Sequence, residues 1–449
     1  MGKLFGTDGI RGVANKELSA ELAFKTGQCG AYVLTKKTNK RPRILIGKDT
    51  RKSGDMLEAA LTAGLCSMGA KVIPLGVIPT PAVAYLTRYY NADAGVVISA
   101  SHNPFEYNGI KFFNGDGYKL SDEIENEIED YILGAKQIEE LPTHGKVGYV
   151  MANHNAVEDY VRFAISTVDC TLEGIKVVID CANGASYQTA FKALNKLGAN
   201  VEAIHNTPDG ININHMCGST HMESLQAYVT SIGADIGIAF DGDADRMLAV
   251  DENGKLIDGD QIMAVCANYM KSKGILNKNT LVATVMSNLG LFIAGDELGI
   301  NVERTKVGDR YVLERMLDGG FNIGGEQSGH VIFLDHNTTG DGLVSALQFL
   351  AVLKKTGQKA SEAAMLVNVL PQVLINAKVK LENKDKYMEN EAIAKACREL
   401  EAEFDGKGRV LIRPSGTEPL VRVMIEGSDI DYINKKAREL ADMIEELLG

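Results

Sequence analysis

Val177-Val178-Ile179-Asp180-Cys181-Ala182-Asn183-Gly184 is a short β-branched run that stops at an acid and a small polar turn. Behind it, 186–197 has the periodicity of an amphipathic helix. Strand, loop and helix in that order open a parallel α/β unit. The same opening recurs at 43–49 (RILIGKD), with a helix near 55–69 and further strands at 72–75 and 95–99. It recurs again at 281–286 (LVATVM), which runs into Ser-Asn-Leu-Gly and another helix. Three related α/β domains with mainly parallel mixed sheets are therefore expected. Beyond Pro371 the pattern changes to strand 373–379, helix 389–404, strands 409–413 and 420–426, and helix 431–448. That order predicts a small C-terminal α+β domain. The expected divisions are 1–152, 153–257, 258–370 and 371–449.

Composition narrows the function classes. The 449 residues are 45% hydrophobic, which excludes wholesale disorder. Acidic side chains number 59 against 47 basic ones, a formal charge of −12 that disfavours nucleic acid as partner. No run approaches the roughly 18 apolar residues that span a bilayer. The longest candidate, 343–353, is interrupted by Ser345 and Gln348. The first eight residues lack a signal peptide's apolar centre, so a soluble, cytoplasmic protein is expected. Seven cysteines stand singly with no CxxC pair, which predicts reduced thiols rather than a disulfide framework or a zinc site.

Four loops carry chemistry. In Ile98-Ser99-Ala100-Ser101-His102-Asn103-Pro104, Ser101 falls at the carboxyl end of a strand, where open α/β sheets hold ligands. It also reads as a cap on the turn begun by Asn103-Pro104. In Asp241-Gly242-Asp243-Ala244-Asp245-Arg246, carboxylates at every second position can converge on one hard divalent cation, with Mg²⁺ expected because few ligands are offered. A calcium EF-hand is the rival, since Glu252 falls at the twelfth position, but Arg246 replaces the glycine that such a loop needs. In Gly324 through His330, flanking glycines let the backbone approach a ligand while Glu326, Gln327 and Ser328 suit sugar hydroxyls. In Arg413-Pro414-Ser415-Gly416-Thr417-Glu418-Pro419, successive N–H groups, two hydroxyls and a guanidinium suit a phosphate, with Arg422 at strand spacing beyond. A polar turn or a hairpin loop reads equally from these last two. Arg11, in a glycine-flanked turn, and Lys111 are cations that, taken singly, read as solvated surface charges.

Together the four loops resemble the α-D-phosphohexomutase superfamily, in the family's order, from residue 5 to about 425. Its phosphoserine loop is similar to Ser101 through Pro104 and its metal loop to Asp241 through Arg246. Its sugar loop is similar to Gly325 through His330 and its phosphate loop to Arg413 through Pro419. The opening Phe5-Gly6-Thr7-Asp8-Gly9-Ile10-Arg11-Gly12, the stretch Cys217-Gly218-Ser219-Thr220-His221 and Gln327 resemble the branch that acts on glucosamine phosphates; the phosphomannomutase/phosphoglucomutase branch typically has methionine at the Gln327 position.

The resemblance implies four domains around a central cleft and interconversion of glucosamine 6-phosphate with glucosamine 1-phosphate, a step towards UDP-N-acetylglucosamine. Ser101 as a phosphoserine would pass its phosphoryl group to the sugar, through a 1,6-bisphosphate that turns over and returns the other. Phosphoryl transfer is mostly positioning and charge stabilisation. Asp241, Asp243, Asp245 and a phosphoserine oxygen on Ser101 would therefore hold Mg²⁺, and Arg11 and Arg246 would neutralise the transferring group. Lys111 is the candidate general acid/base, with His330 as its rival. Glu326 and Ser328 would grip the sugar, and Arg413, Ser415, Gly416, Thr417 and Arg422 the non-reacting phosphate. Glucose or glucosamine 1,6-bisphosphate is the expected primer, a phosphosugar the partner and a homodimer the assembly. The alternatives are a phosphoglucomutase or phosphomannomutase, and a silent sugar-phosphate-binding protein.

Overall fold

The computed structural model describes every residue except 1–3, 7, 36–40, 416 and 417. Four sheets divide the chain. The first runs in spatial order Phe5–Gly6, Gly9–Val13, Tyr107–Asn114, Ala94–Ile98, Arg43–Lys48, Lys71–Val77 and Tyr149–Val150. Arg43–Lys48 lies parallel to both Lys71–Val77 and Ala94–Ile98, while Tyr107–Asn114 returns antiparallel. Ala94–Ile98 is buried along its whole length, as a strand covered on both faces must be. Helices Ala20–Thr35 and Ser53–Ser67 cross closely over one face. Glycine permits that approach: a Cβ on Gly64 would stand 2.1 Å from Phe24 O.

The second sheet places Ile236–Phe240 parallel to Lys176–Asp180 and antiparallel to Met247–Asp251. The third runs Asn301–Thr305, Thr280–Thr284, Ile323–Gly325, Val331–Phe333, parallel until its last strand turns back. The fourth is wholly antiparallel, with Leu420–Glu426 between Gln372–Lys378 and Arg409–Pro414. Its alternate residues Val421, Val423 and Ile425 share a core with Ile433, Ala437, Leu440 and Ile444 of helix Ile430–Leu448. Three mixed α/β sheets followed by a small α+β layer are the expected fold class.

The chain forms two compact units. One is Met1–Val285 with Ile300–Leu366, and the other is Met286–Gly299 with Val367–Gly449. The second unit thus takes helix Leu289–Leu298 from the middle of the chain. Asn288 caps that helix, its Oδ1 accepting from Gly290 N at 2.9 Å, and binds Leu370 through both backbone groups at 3.0 Å. Glu426, fully buried, accepts from Leu289 N at 3.0 Å and from Arg409 Nε at 2.8 Å. Among the described residues no helix is long and apolar enough to cross a membrane.

Candidate active site

In the first unit the chemistry sits where strands end. Strand Ala94–Ile98 delivers Ser101, which is 3% exposed and turned into the left-handed region at φ 51°. Its hydroxyl donates to Asp241 Oδ2 at 2.6 Å. Strand Ile236–Phe240 delivers Asp241, Asp243 and Asp245, all buried, with oxygens within 4.8 Å of one another. His102 flanks the serine. Burial, then the Arg246 and Arg11 charges, push its imidazole down to about 4.

The three carboxylates fit a hard divalent cation. Asp243 Oδ1 and Asp245 Oδ1 are buried without a hydrogen-bond donor, a costly state unless something positive completes them. Burial and then the neighbouring carboxylates hold Asp241 and Asp245 above the usual range. Oxygen donors in a small, acidic, buried cluster select magnesium-like or calcium-like ions. An EF-hand is ruled out, because strands rather than helices flank the loop. Glu252 also points elsewhere, accepting from Ser361 N at 3.2 Å and Ser361 Oγ at 2.5 Å.

Lys111 stands in strand Tyr107–Asn114, 2% exposed, its ammonium 2.8 Å from Asp8 Oδ2 and 3.0 Å from Asp243 Oδ2. Burial pulls its pKa down, but Asp243 and Asp8 outweigh burial and hold it above the ordinary value. Arg11, from strand Gly9–Val13, pairs with the same Asp8. Arg246 donates its N–H to Asp241 Oδ1 at 3.2 Å, and its guanidinium lies 3.9 Å from Asp245.

The glycine-rich loop after Ile323–Gly325 folds back tightly, Glu326 N donating to His330 O at 3.0 Å. His330 is 3% exposed and neither ring nitrogen has a hydrogen-bond partner. Nε2 lies 3.9 Å from Asp245 Oδ2 and 3.8 Å from Asp309 Oδ2. Glu326 accepts from Gly308 N at 3.0 Å, and Ser328 Oγ is buried and unpartnered. Gln327 Nε2 donates to Asp258 Oδ2 at 3.0 Å. Asp258 is the N-cap of helix Gly259–Ser272.

The first unit therefore brings together Ser101, the three aspartates, Lys111, Arg11, Arg246, Glu326 and His330. In the second unit Arg413 and Arg422 are directly opposed across antiparallel strands, so both guanidiniums rise from one face. Burial and then Arg422 hold Arg413 below its ordinary pKa. Ser415 Oγ accepts from Glu418 N at 3.3 Å. Gly416 and Thr417, assigned to the same loop, lie outside the described residues.

Several residues without a sequence-assigned role belong here. Asp8 joins Arg11, Lys111 and Lys119, and Lys119 reaches on to Asp309 at 2.5 Å. Asp8, Lys111, Lys119 and Asp309 border a cavity of about 430 Å³, with His330 on its wall. Thr80 grips the metal loop, its hydroxyl donating to Asp243 Oδ2 at 2.7 Å and its N–H to Asp243 O at 2.9 Å. An acid inside a glycine turn was the available signal for Asp8. Nothing local marks Thr80.

Comparison with known proteins agrees with the geometry. Family models described as phosphoglucomutase/phosphomannomutase α/β/α domains I, II and III match residues 2–139, 158–254 and 258–369, and the C-terminal domain matches 374–446. A phosphoglucosamine mutase of Ruminiclostridium cellulolyticum is 64% identical over 99% of both chains. One from Acetivibrio thermocellus is 63% identical over the full length of both. The fold is shared with a phosphoglucomutase/phosphomannomutase family protein of Burkholderia thailandensis, TM-score 0.81 at 24% identity, covering 98% of this chain and 97% of that one. It is shared too with Aspergillus fumigatus N-acetylphosphoglucosamine mutase, solved with GlcNAc-6P and magnesium, TM-score 0.69 at 18% identity over 99% and 96%. With all four domain models in order and relatives of one name matching from end to end, the chain belongs to the phosphoglucosamine mutases of the α-D-phosphohexomutase superfamily.

Proposed function

We propose that the protein interconverts glucosamine 6-phosphate and glucosamine 1-phosphate through phospho-Ser101, supplying UDP-N-acetylglucosamine synthesis. The observation that carries this reading is the 2.6 Å contact of Ser101 Oγ with Asp241 at the rim of a buried carboxylate cluster. Asp241, Asp243 and Asp245 would hold Mg²⁺ together with a phosphoserine oxygen, and the ion would supply Lewis-acid charge to the transferring phosphoryl group. Ser101 gives its phosphoryl group to O1 of the 6-phosphate sugar: the P–Oγ bond breaks, a P–O1 bond forms, the O1 proton passes to a base, and the departing Oγ keeps the bonding pair and is protonated to the serine hydroxyl. Of the two candidates we assign that proton to His330, whose ring nitrogens are uncommitted. Lys111, tied to two carboxylates, serves as a fixed charge beside Asp243 and the transferring group.

Arg11 and Arg246 flank the same oxygens and offset their developing charge. Reversal of the 1,6-bisphosphate requires grips that suit both orientations. Glu326 and Ser328 take the ring hydroxyls, while Arg413, Ser415, Gly416, Thr417 and Arg422 take the non-reacting phosphate. Glucose or glucosamine 1,6-bisphosphate primes Ser101. The four-part division at 152, 257 and 370, a cytoplasmic location and a homodimer complete the reading.

Phosphorus NMR with Mg²⁺, glucosamine 6-phosphate and a trace of glucose 1,6-bisphosphate tests it, with glucose and mannose phosphates in parallel. Glucosamine 1-phosphate should appear fastest and disappear with Ser101→Ala. Faster turnover of glucose or mannose would overturn the substrate, and silence with phosphorylated Ser101 would overturn the reaction.

A further inference from the structure

The backbone that aims Ser101 is gripped from two sheets. A left-handed serine persists only where its surroundings over-determine it. Ser101 O accepts from Arg51 Nη2 at 2.9 Å and from Asn214 Nδ2 at 2.8 Å. The same two nitrogens reach Asn103 O at 2.8 Å and 3.0 Å. On the other side of the peptide, Ser101 N donates to Ser99 Oγ at 3.0 Å. Ser99 donates to Asp49 Oδ2 at 2.5 Å, the oxygen that also receives Arg51 Nε at 2.8 Å. The hydrogen bonds thus close a ring from the serine's N–H to its carbonyl.

Arg51 is 2% exposed and Asn214 8%. Arg51 follows strand Arg43–Lys48 of the first sheet, whereas Asn214 lies beyond strand Asn200–Ile204 of the second. The carboxylate loop seats against this grip. A Cβ on Gly242 would fall 2.6 Å from Ser101 O and 2.7 Å from Asn214 Nδ2.

We infer that Arg51 and Asn214 are positioning residues for phosphoryl transfer, holding the Ser101–Asn103 turn so that the serine oxygen meets the aspartate loop in one orientation. The inference rests on the phosphoserine reading above. Neither side chain touches Oγ. Both act through the carbonyls, and a small misplacement of a reacting atom costs rate rather than binding.

Asn214 is the sharper probe, because Arg51 also holds Asp49. At φ 58° Asn214 occupies backbone where glycine is at ease. Asn214→Gly therefore removes the amide without straining the chain, and Asn214→Asp keeps the shape while replacing the donor by an acceptor. Full-length enzyme with Mg²⁺ would be followed in steady state and in single-turnover phosphorylation of Ser101 by glucose 1,6-bisphosphate, read by intact mass. Asn214→Gly should lower kcat and the phosphorylation rate by about 10- to 100-fold, with KM within about twofold. Asn214→Asp should lose more. Rates within about threefold of wild type, or a loss confined to KM, would overturn the inference. Should the glycine variant not fold, the aspartate variant decides by the same kcat and KM split, and loss of the folded state in both assigns Asn214 to structure instead. Wild type that is phosphorylated on Ser101 yet turns over no sugar would sink the mutase reading alone, leaving the phosphorylation rates to judge the grip.

Discussion

Lys111 Nζ lies 3.0 Å from Asp243 Oδ2, and neither group has measurable contact with solvent beyond 2% of its surface. A buried ion pair broken from one side leaves an uncompensated charge, at a cost of about 3–5 kcal/mol. Lys111→Met should therefore lower unfolding stability by that order in chelator. Added Mg²⁺ should restore part of the loss, because the stranded carboxylate gains another cation. Urea unfolding with and without Mg²⁺ checks this, and an equal deficit in both conditions would count against it.

Thr80 orients the middle carboxylate through its 2.7 Å hydrogen bond to Asp243. Partners of this outer kind are worth about 10–100-fold in metal affinity. Thr80→Val is expected to weaken Mg²⁺ binding by that factor in isothermal titration, with the fold intact. Unchanged affinity would show that the hydroxyl serves packing only.

Gln327 is bonded to the helix-capping Asp258 at 3.0 Å. Gln327→Met should cost about 1 kcal/mol, the net worth of one hydrogen bond. The ratio of glucosamine to glucose phosphate turnover should stay within twofold of wild type, to the order of one weak contact. A marked shift towards glucose phosphates would prove that this amide reads the sugar.

His205 Nδ1 faces Asp180 Oδ2 at 2.8 Å. That hydrogen bond, opposed by burial, raises the imidazole above its ordinary 6.5. A raised folded-state pKa adds stability that is complete below about 6.5 and fades as pH climbs through the raised value. His205→Asn should therefore be most damaging near pH 5.5 and least near pH 9. Denaturant midpoints for both proteins at the two pH values provide the check, and a constant difference would remove His205 from the pH response.

The recurrent strand–loop–helix openings made the fold class legible, since period and turn chemistry are local properties. Ser101 and the alternating aspartates were legible for the same reason: each loop presents its chemistry within a few residues. What joins them is not local. The Ser101–Asp241 hydrogen bond spans 140 residues, Thr80–Asp243 spans 163, and Lys119–Asp309 spans 190. Thr80, Arg51 and Asn214 gain their meaning only from such closures, so no window of sequence could single them out, whereas Asp8 offered only its place inside a glycine turn. Gln327 shows the converse. Its identity marked the branch, and its amide bonds the carboxylate that caps a helix, a contact 69 residues away in sequence. The transfer of helix Leu289–Leu298 to the last unit also left no trace in the local pattern.

That transfer has a consequence for biosynthesis. Leu289 and the Glu426 carboxylate that receives its N–H are 137 residues apart. On the ribosome, the ten-residue helix emerges long before the strand that completes its surroundings. A helix of that length is marginal alone in water. The unit it belongs to can close only when translation is nearly finished, so a ribosome stalled near residue 400 should hold a nascent chain whose last unit is still protease-sensitive.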